Sequence, residues 1–325
     1  MRVRFDQRVL DDPRRFGRDV NAIVDRCDRG QHRWVIDDLD SVLASTWIRE
    51  SSPWDPLAEL AEKTWRAAID EVSSGPRQRL VFVTIVDDDC AGAPDAVACT
   101  IAAKARALLE KPLYVILENA QSDWSFIQAM VRTFARSGLE VAIAEHWLIP
   151  DQAGGTGEFA KRASALMDHG IPPWRIAAMM DSDRLVPGPL PAQVAKRVEQ
   201  LGSLGLTVLT LFKREMENYL PVSLFGGKDA VRTSFLSLSR EQQDHYDMKC
   251  GFDRDPKSGD AAVPGPQRTL FGRNPWHLKR LVGGFGKHIG DRFAGATPDR
   301  AEMAAVCATY SGELERLLDT LEELL

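Results

Sequence analysis

The sequence predicts an α/β protein: a mostly parallel sheet flanked by helices, with a helix-rich N-terminal region and a C-terminal helical extension. Three observations predict it. Apolar runs at 80–86, 113–118, 176–180 and 206–212 have the length of buried strands. Segments with apolar residues at helical spacing separate them, and a β-α-β-α rhythm at this density is the pattern of a parallel sheet. Proline and glycine bracket the runs, as at Pro172-Pro173 and Pro187-Gly188-Pro189. Residues 1–111 read as the helix-rich region with one buried strand, 112–222 as the α/β core, and 223–325 as a basic, glycine-bearing extension ending in a helix.

Composition narrows the classes. The 325 residues are 44% hydrophobic and 27% charged, which excludes a disordered chain. A net charge of -6 argues against a protein that coats nucleic acid by bulk electrostatics, while leaving room for a local basic channel. Five widely spaced cysteines without a CxxC pair suggest neither zinc nor a redox couple. No apolar run approaches the roughly 18 residues of a spanning helix, and the start lacks a signal-peptide core, so a cytoplasmic protein without membrane contact is expected.

In chain order, residues 1–75 read as mainly helical, with Phe16, Val20, Ile23 and Val24 on one stripe and a second helix from Pro56 to Val72. The tryptophans at 34, 47, 54 and 65 suit a core or a domain interface. The strand at 80–86 ends in Asp87, Asp88 and Asp89, which are read as the cap into a helix over 95–110 rather than as a metal site. The next strand ends in Glu118 and leads into a helix from Ser122, with Asp123 in its first turn. A strand is expected over 139–146, helices over 158–169 and 191–201, and a last strand over 206–212 running into KREMENYLP.

Three strand ends therefore carry acids: Glu118, then Asp181 and Asp183 after the run IAAMM, then Glu215 and Glu217. In a parallel sheet these ends share one edge, where ligands bind. Two aspartates two residues apart point to one side of a continuing strand. Such a cluster suits one or two Mg²⁺ or Mn²⁺ ions, because buried acids without a counter-charge repel one another. A single DxD is also what a strand running into a polar turn looks like; the other acids are what favour the metal.

The segments ILENAQSDWSFIQAMV, DSDR and REMENYLP, in that order, resemble the TOPRIM domain of OLD-family nucleases and of related standalone bacterial defence proteins. The downstream stretches around Lys249 (DMKCGF) and Lys287 (LVGGFGKHI) resemble the lysine- and glycine-bearing segments that follow in that family. The resemblance covers roughly residues 112–290 and leaves the N-terminal third outside. It implies a TOPRIM-like fold, a metal-dependent nuclease acting on DNA or RNA, and metal ligands at Glu118, Asp123, Asp181, Asp183 and Glu217, with Glu217 preferred to Glu215. Glu118, Asp181, Asp183, Glu217 and Lys249 would be the catalytic set. Asn119 stands where the family has glycine, and asparagine tolerates left-handed backbone.

The span 267–292 is locally basic, and Arg273, Lys279, Arg280 and Lys287 are its candidate phosphate contacts. Phe271, Trp276 and Phe285 are read either as stacking platforms or as core. The chain has no GxxxxGK[ST] loop: Gly286-Lys287 has Leu281 in place of the first glycine and His288 in place of the hydroxyl residue, and Gly227-Lys228 has Val222 and Asp229 at those positions. Any nucleotide-driven control would thus come from a separate ATPase partner. Two rival readings are a non-catalytic TOPRIM-like binding module and a DxD-dependent glycosyltransferase, the latter leaving Glu118 and ENYL unexplained.

Overall fold

The computed structural model describes residues 2–51, 56–72, 82–86, 98–155, 157–227, 229–272 and 276–325. The protein is α/β and divides into two compact units, one formed by residues 1–113, 141–148 and 321–325, the other by 114–140 and 149–320. Among the described residues no helix is long and apolar enough to cross a membrane.

The first unit contains a four-stranded parallel sheet where one strand was expected. Its strands are β1 (Arg2–Phe5), β2 (Arg33–Trp34), β3 (Phe82–Val86) and β4 (Ala98–Ile101), in the order β2-β1-β3-β4. β1 aligns Val3 with Trp34 on one side and with Val83 on the other. Its four residues, RVRF, alternate half-buried arginine with buried Val3 and Phe5. Nothing local marks so short a stretch as a strand; its two neighbours, about 30 and 80 residues away in sequence, supply the pairing. The expected helix over 95–110 begins only at Ala102, because Ala98–Ile101 is β4. Asp87, Asp88 and Asp89, read as its cap, lie outside the described residues, as does Trp54. Trp34 and Trp47 are buried and meet edge to face at 6.0 Å, which bears out their core reading.

The second unit is built on β5 (Leu113–Leu117), β6 (Leu148–Gln152), β7 (Ile176–Met180) and β8 (Thr207–Thr210), all parallel, in the order β6-β5-β7-β8. Burial follows that order. Central β7 is buried at all five positions, whereas edge strand β8 is half-buried throughout. Ile176, Ala178 and Met180 pack with Phe159, Ala163 and Leu166 of one helix and Val194 and Leu201 of another. Burying each of the larger of these side chains contributes about 1.5–3 kcal/mol.

The strand expected over 139–146 is a helix, Ser137–Ala144, followed by β6. Buried Leu139 and Ala142 are three residues apart, the helical interval, while Val141 is 45% exposed; a strand would have put Leu139 and Val141 on one face. The true strand holds Pro150, which the edge of a sheet tolerates because one side of its backbone needs no partner.

Register brings the acid-bearing ends to one edge. Ile116 pairs with Ala178, and Met180 with Thr210, so Glu118, Asp181 and the chain after Thr210 leave the sheet together.

Candidate metal centre

Beyond Met180 the sheet stops but hydrogen bonding continues. Ser182 Oγ donates to Lys213 O at 2.5 Å, and Asp183 N–H donates to Arg214 O at 2.9 Å. Asp181 Oδ1 accepts from Met216 N–H at 2.9 Å. The DSD and KREM segments are thus laced side by side. Asp183 takes a left-handed conformation, φ 52°, which a short polar side chain adopts more readily than most. That turn ends strand alternation, so the expectation that Asp181 and Asp183 face one side as strand neighbours does not apply.

The KREMENYLP run makes a sharp 3₁₀ turn over Met216–Tyr219 that carries both glutamates inward. Glu215 N–H donates to Asn218 Oδ1, while Asn218 Nδ2 reaches Gln243 O and Tyr246 O. Tyr219 hydroxyl accepts from Lys213 N–H and donates to Glu313 Oε2. Asn218 and Tyr219 therefore hold the turn, and Glu215 and Glu217 are what it presents.

Asp181, Glu215 and Glu217 each place one carboxylate oxygen within 4.8 Å of the other two. Lys249 reaches into this triad, its Nζ 3.1 Å from Glu217, 3.7 Å from Glu215 and 3.9 Å from Asp181. Two glycine turns position it. Gly251 and Gly284 have positive φ, and a Cβ at 284 would stand 2.7 Å from both Gly251 N and Lys249 O. The close approach lets Phe285 and Gly286 N–H donate to Met248 O and Lys249 O. Met248 N–H in turn donates to Glu215 Oε1 at 2.5 Å, tying the lysine segment to the triad.

Burial raises the pKa of all three acids. Glu215 is pushed up to about 8, by burial first and the charge of Glu217 second, with Lys249 opposing. Asp181 is raised by burial and then by Glu217, and Glu217 by burial against the pull of Lys249. Burial alone would lower Lys249, but Glu217, Asp181 and Glu215 outweigh it and hold the ammonium charged. Glu217 Oε2 is shielded from solvent and has the Lys249 ammonium 3.1 Å away as its charged partner.

Glu118 and Asp123 lie beside the triad. Glu118 is raised by burial and then by Asp123, with a smaller push from Asp183; Lys249 and Arg197 partly offset this. Asp123 is raised by burial and restrained by the N–H of Asn119, which donates to its Oδ2 at 3.0 Å. Asn119 is not left-handed: its side chain instead accepts from Gln121 and Ser122 N–H, closing the turn that leads into the helix Ser122–Thr133. Asp183 is exposed and outside the triad. The sequence-expected acids thus form a triad and a neighbouring group.

Glu215 is the residue that preferring Glu217 left out, and the E-x-E spacing in a buried run was its signal. Arg197, on the helix Ala192–Ser203, and Gly290 carried no signal. A Cβ at 290 would stand 2.6 Å from Glu217 Oε1 and 3.0 Å from Met216 Cε. Gly290→Ala should therefore displace Glu217 and weaken Mg²⁺ binding by roughly tenfold or more, as loss of supporting contacts commonly does. Calorimetric titration checks this; unchanged affinity would mean that the Glu217 carboxylate position does not limit metal binding.

A pH dependence follows from Glu215. The unfolded chain releases this proton near the ordinary value of 4.5, whereas the folded chain keeps it to about 8. The folded state binds more protons in between, so the associated stability is complete below about 4.5 and is lost as pH rises through about 8. Melts of chelator-treated protein should show Tm falling across that window, and saturating Mg²⁺ should flatten the fall. A Tm that rises with pH there would mean an ionised Glu215.

Of the basic candidates, Lys279, Arg280 and Lys287 are exposed, and Lys287 lies near enough to Cys250 to oppose the rise of its thiol pKa. Arg273 lies outside the described residues. Phe271 and Phe285 are buried, 3% and 8% exposed, in a ring cluster with Phe225, Phe235, Tyr246 and Phe252. They are core, so the stacking reading is withdrawn for both.

No protein-family model, curated protein or solved structure matches the chain.

Proposed function

We propose that this protein is a divalent-metal-dependent nuclease of the TOPRIM type, hydrolysing phosphodiesters of DNA or RNA. One observation carries the reading: Asp181, Glu215 and Glu217 meet at the carboxyl edge of a parallel sheet with a lysine ammonium among them. The residues fit Mg²⁺ or Mn²⁺, since all donors are hard carboxylate oxygens and one from each of the three acids lies within 4.8 Å of the others. Asp181, Glu215 and Glu217 would hold one ion, with Glu118, Asp123 and Asp183 available to a second. Bound there, such ions supply Lewis-acid stabilisation of a phosphoryl oxygen and a more acidic water.

The chain's own groups do the rest. Glu118, whose carboxyl burial raises above the ordinary value, is the acid of the neighbouring group suited to accept a proton from the attacking water. Lys249 faces the reacting phosphate with a charge its neighbours keep in place. Lys279, Arg280 and Lys287 contact the strand's phosphates, the first two just before the Leu281–Gly284 turn that positions Lys249. The order of the TOPRIM-like segments supports the same reading. A role as the effector of a bacterial anti-phage system, controlled by a separate ATPase, extends it.

The test is incubation of the purified protein with supercoiled plasmid, single-stranded DNA and RNA, with Mg²⁺ or Mn²⁺ and with chelator. Metal-dependent cleavage of at least one substrate is expected. Metal binding without cleavage of any would favour a binding module instead. Phosphate release from ATP should be absent; turnover surviving Asp181→Ala would reveal a nucleotide site elsewhere.

A further inference from the structure

Lys249 stands where a cation would. Its Nζ is 3.1, 3.7 and 3.9 Å from carboxylate oxygens of Glu217, Glu215 and Asp181, three side chains whose ligand atoms lie within 4.8 Å of one another. A Mg²⁺ ion needs oxygens at about 2.0–2.1 Å, so ammonium and ion compete for the same small volume and repel each other within it. The backbone of Lys249 is clamped by the Gly251–Gly284 approach, but its side chain is a flexible stem about one-third exposed. The charge can therefore leave the triad without the fold moving.

We propose that Lys249 is a built-in counter-ion that must vacate the triad before a divalent ion binds, and that a phosphodiester is the group that receives it. Metal and nucleic acid then bind cooperatively through one side chain. The ammonium neutralises the acids while the site is free, and transfers its charge to the substrate when the ion takes over that task. Coupling of this kind is reciprocal: a phosphate that attracts Lys249 tightens the metal, and the metal tightens the phosphate. The device would keep the centre weakly loaded until substrate arrives. It rests on the metal-centre reading above and adds a regulation to it.

The experiment is calorimetric titration of Mn²⁺ into the full chain and into Lys249→Met, each with and without a cleavage-resistant phosphorothioate oligonucleotide. Without oligonucleotide, Lys249→Met should bind Mn²⁺ at least about tenfold tighter than the parent, although it loses cleavage. Oligonucleotide should tighten Mn²⁺ binding by the parent by a similar factor and by the variant far less. Equal or weaker Mn²⁺ binding by the variant, or equal coupling in both proteins, overturns the proposal while leaving the metal centre standing. Absence of Mn²⁺ binding by both proteins removes the metal centre itself, and the proposal with it.

A measurement on the parent chain covers the case in which the variant does not fold. The ¹³Cε resonance of Lys249, assigned by its loss in Lys249→Arg, should move on saturation with Mg²⁺ as the ammonium leaves its carboxylates. An unmoved resonance at saturating metal rejects the displacement.

Discussion

Asp181→Asn should lower metal-dependent cleavage by about 10³-fold or more, the upper range for losing a preorganised electrostatic group, and leave the protein folded. The two halves have separate causes. Asparagine keeps an oxygen where Asp181 Oδ1 accepts from Met216 N–H, so the lacing of DSD to KREM survives. It removes a buried acid whose own pKa is raised by burial and then by Glu217, with Glu215 adding to it, so the metal-free fold sheds that cost and should melt no lower than the parent. The gain in Tm on adding Mg²⁺ should disappear with the activity. Full cleavage by Asp181→Asn in matched Mg²⁺ titrations would end the active-site assignment. A large drop in metal-free Tm would show that the acid supports the fold. Glu215→Gln and Glu217→Gln should both lose activity, because the turn at Met216–Tyr219 presents both side chains to Lys249.

Lys213→Met should be strongly destabilising, costing about 3–5 kcal/mol, the usual penalty for removing one partner of a buried ion pair. Lys213 and Asp244 are 0% and 1% exposed, with Nζ 2.7 Å from Oδ1. The same ammonium donates to Asn218 O and Val306 O and sits over the Tyr219 ring at 4.8 Å. Burial lowers its pKa, and Asp244 counters that by raising it. Without Lys213 the carboxylate of Asp244 is left in the interior, and the turn holding Glu215 and Glu217 loses its tie at Asn218. Pairing Lys213→Met with Asp244→Leu should recover part of the stability, since no lone charge is then buried. Urea denaturation of both proteins measures it. A single variant within about 1 kcal/mol of the parent would mean that water reaches the pair.

The sequence alone determined the α/β class, the four apolar runs that became β3, β5, β7 and β8, and the candidacy of Glu118, Asp181, Asp183 and Glu217. Continuous apolar runs with acids at their ends are local patterns, and burial on both faces of a parallel strand writes them into adjacent residues. Tertiary structure decided the rest. β1 exists because distant strands pair with it, and the helix at Ser137–Ala144 because packing selected Leu139 and Ala142 from a run that suited either conformation. The membership of the triad belongs to this second group. Asp183 leaves strand alternation at a left-handed turn, Glu215 enters through a 3₁₀ turn braced by Asn218, and Lys249 arrives from about 30 residues downstream on a clasp of two glycine backbones. Those placements depend on hydrogen bonds and close approaches between segments far apart in the chain, and residue spacing within a single segment carries no record of them.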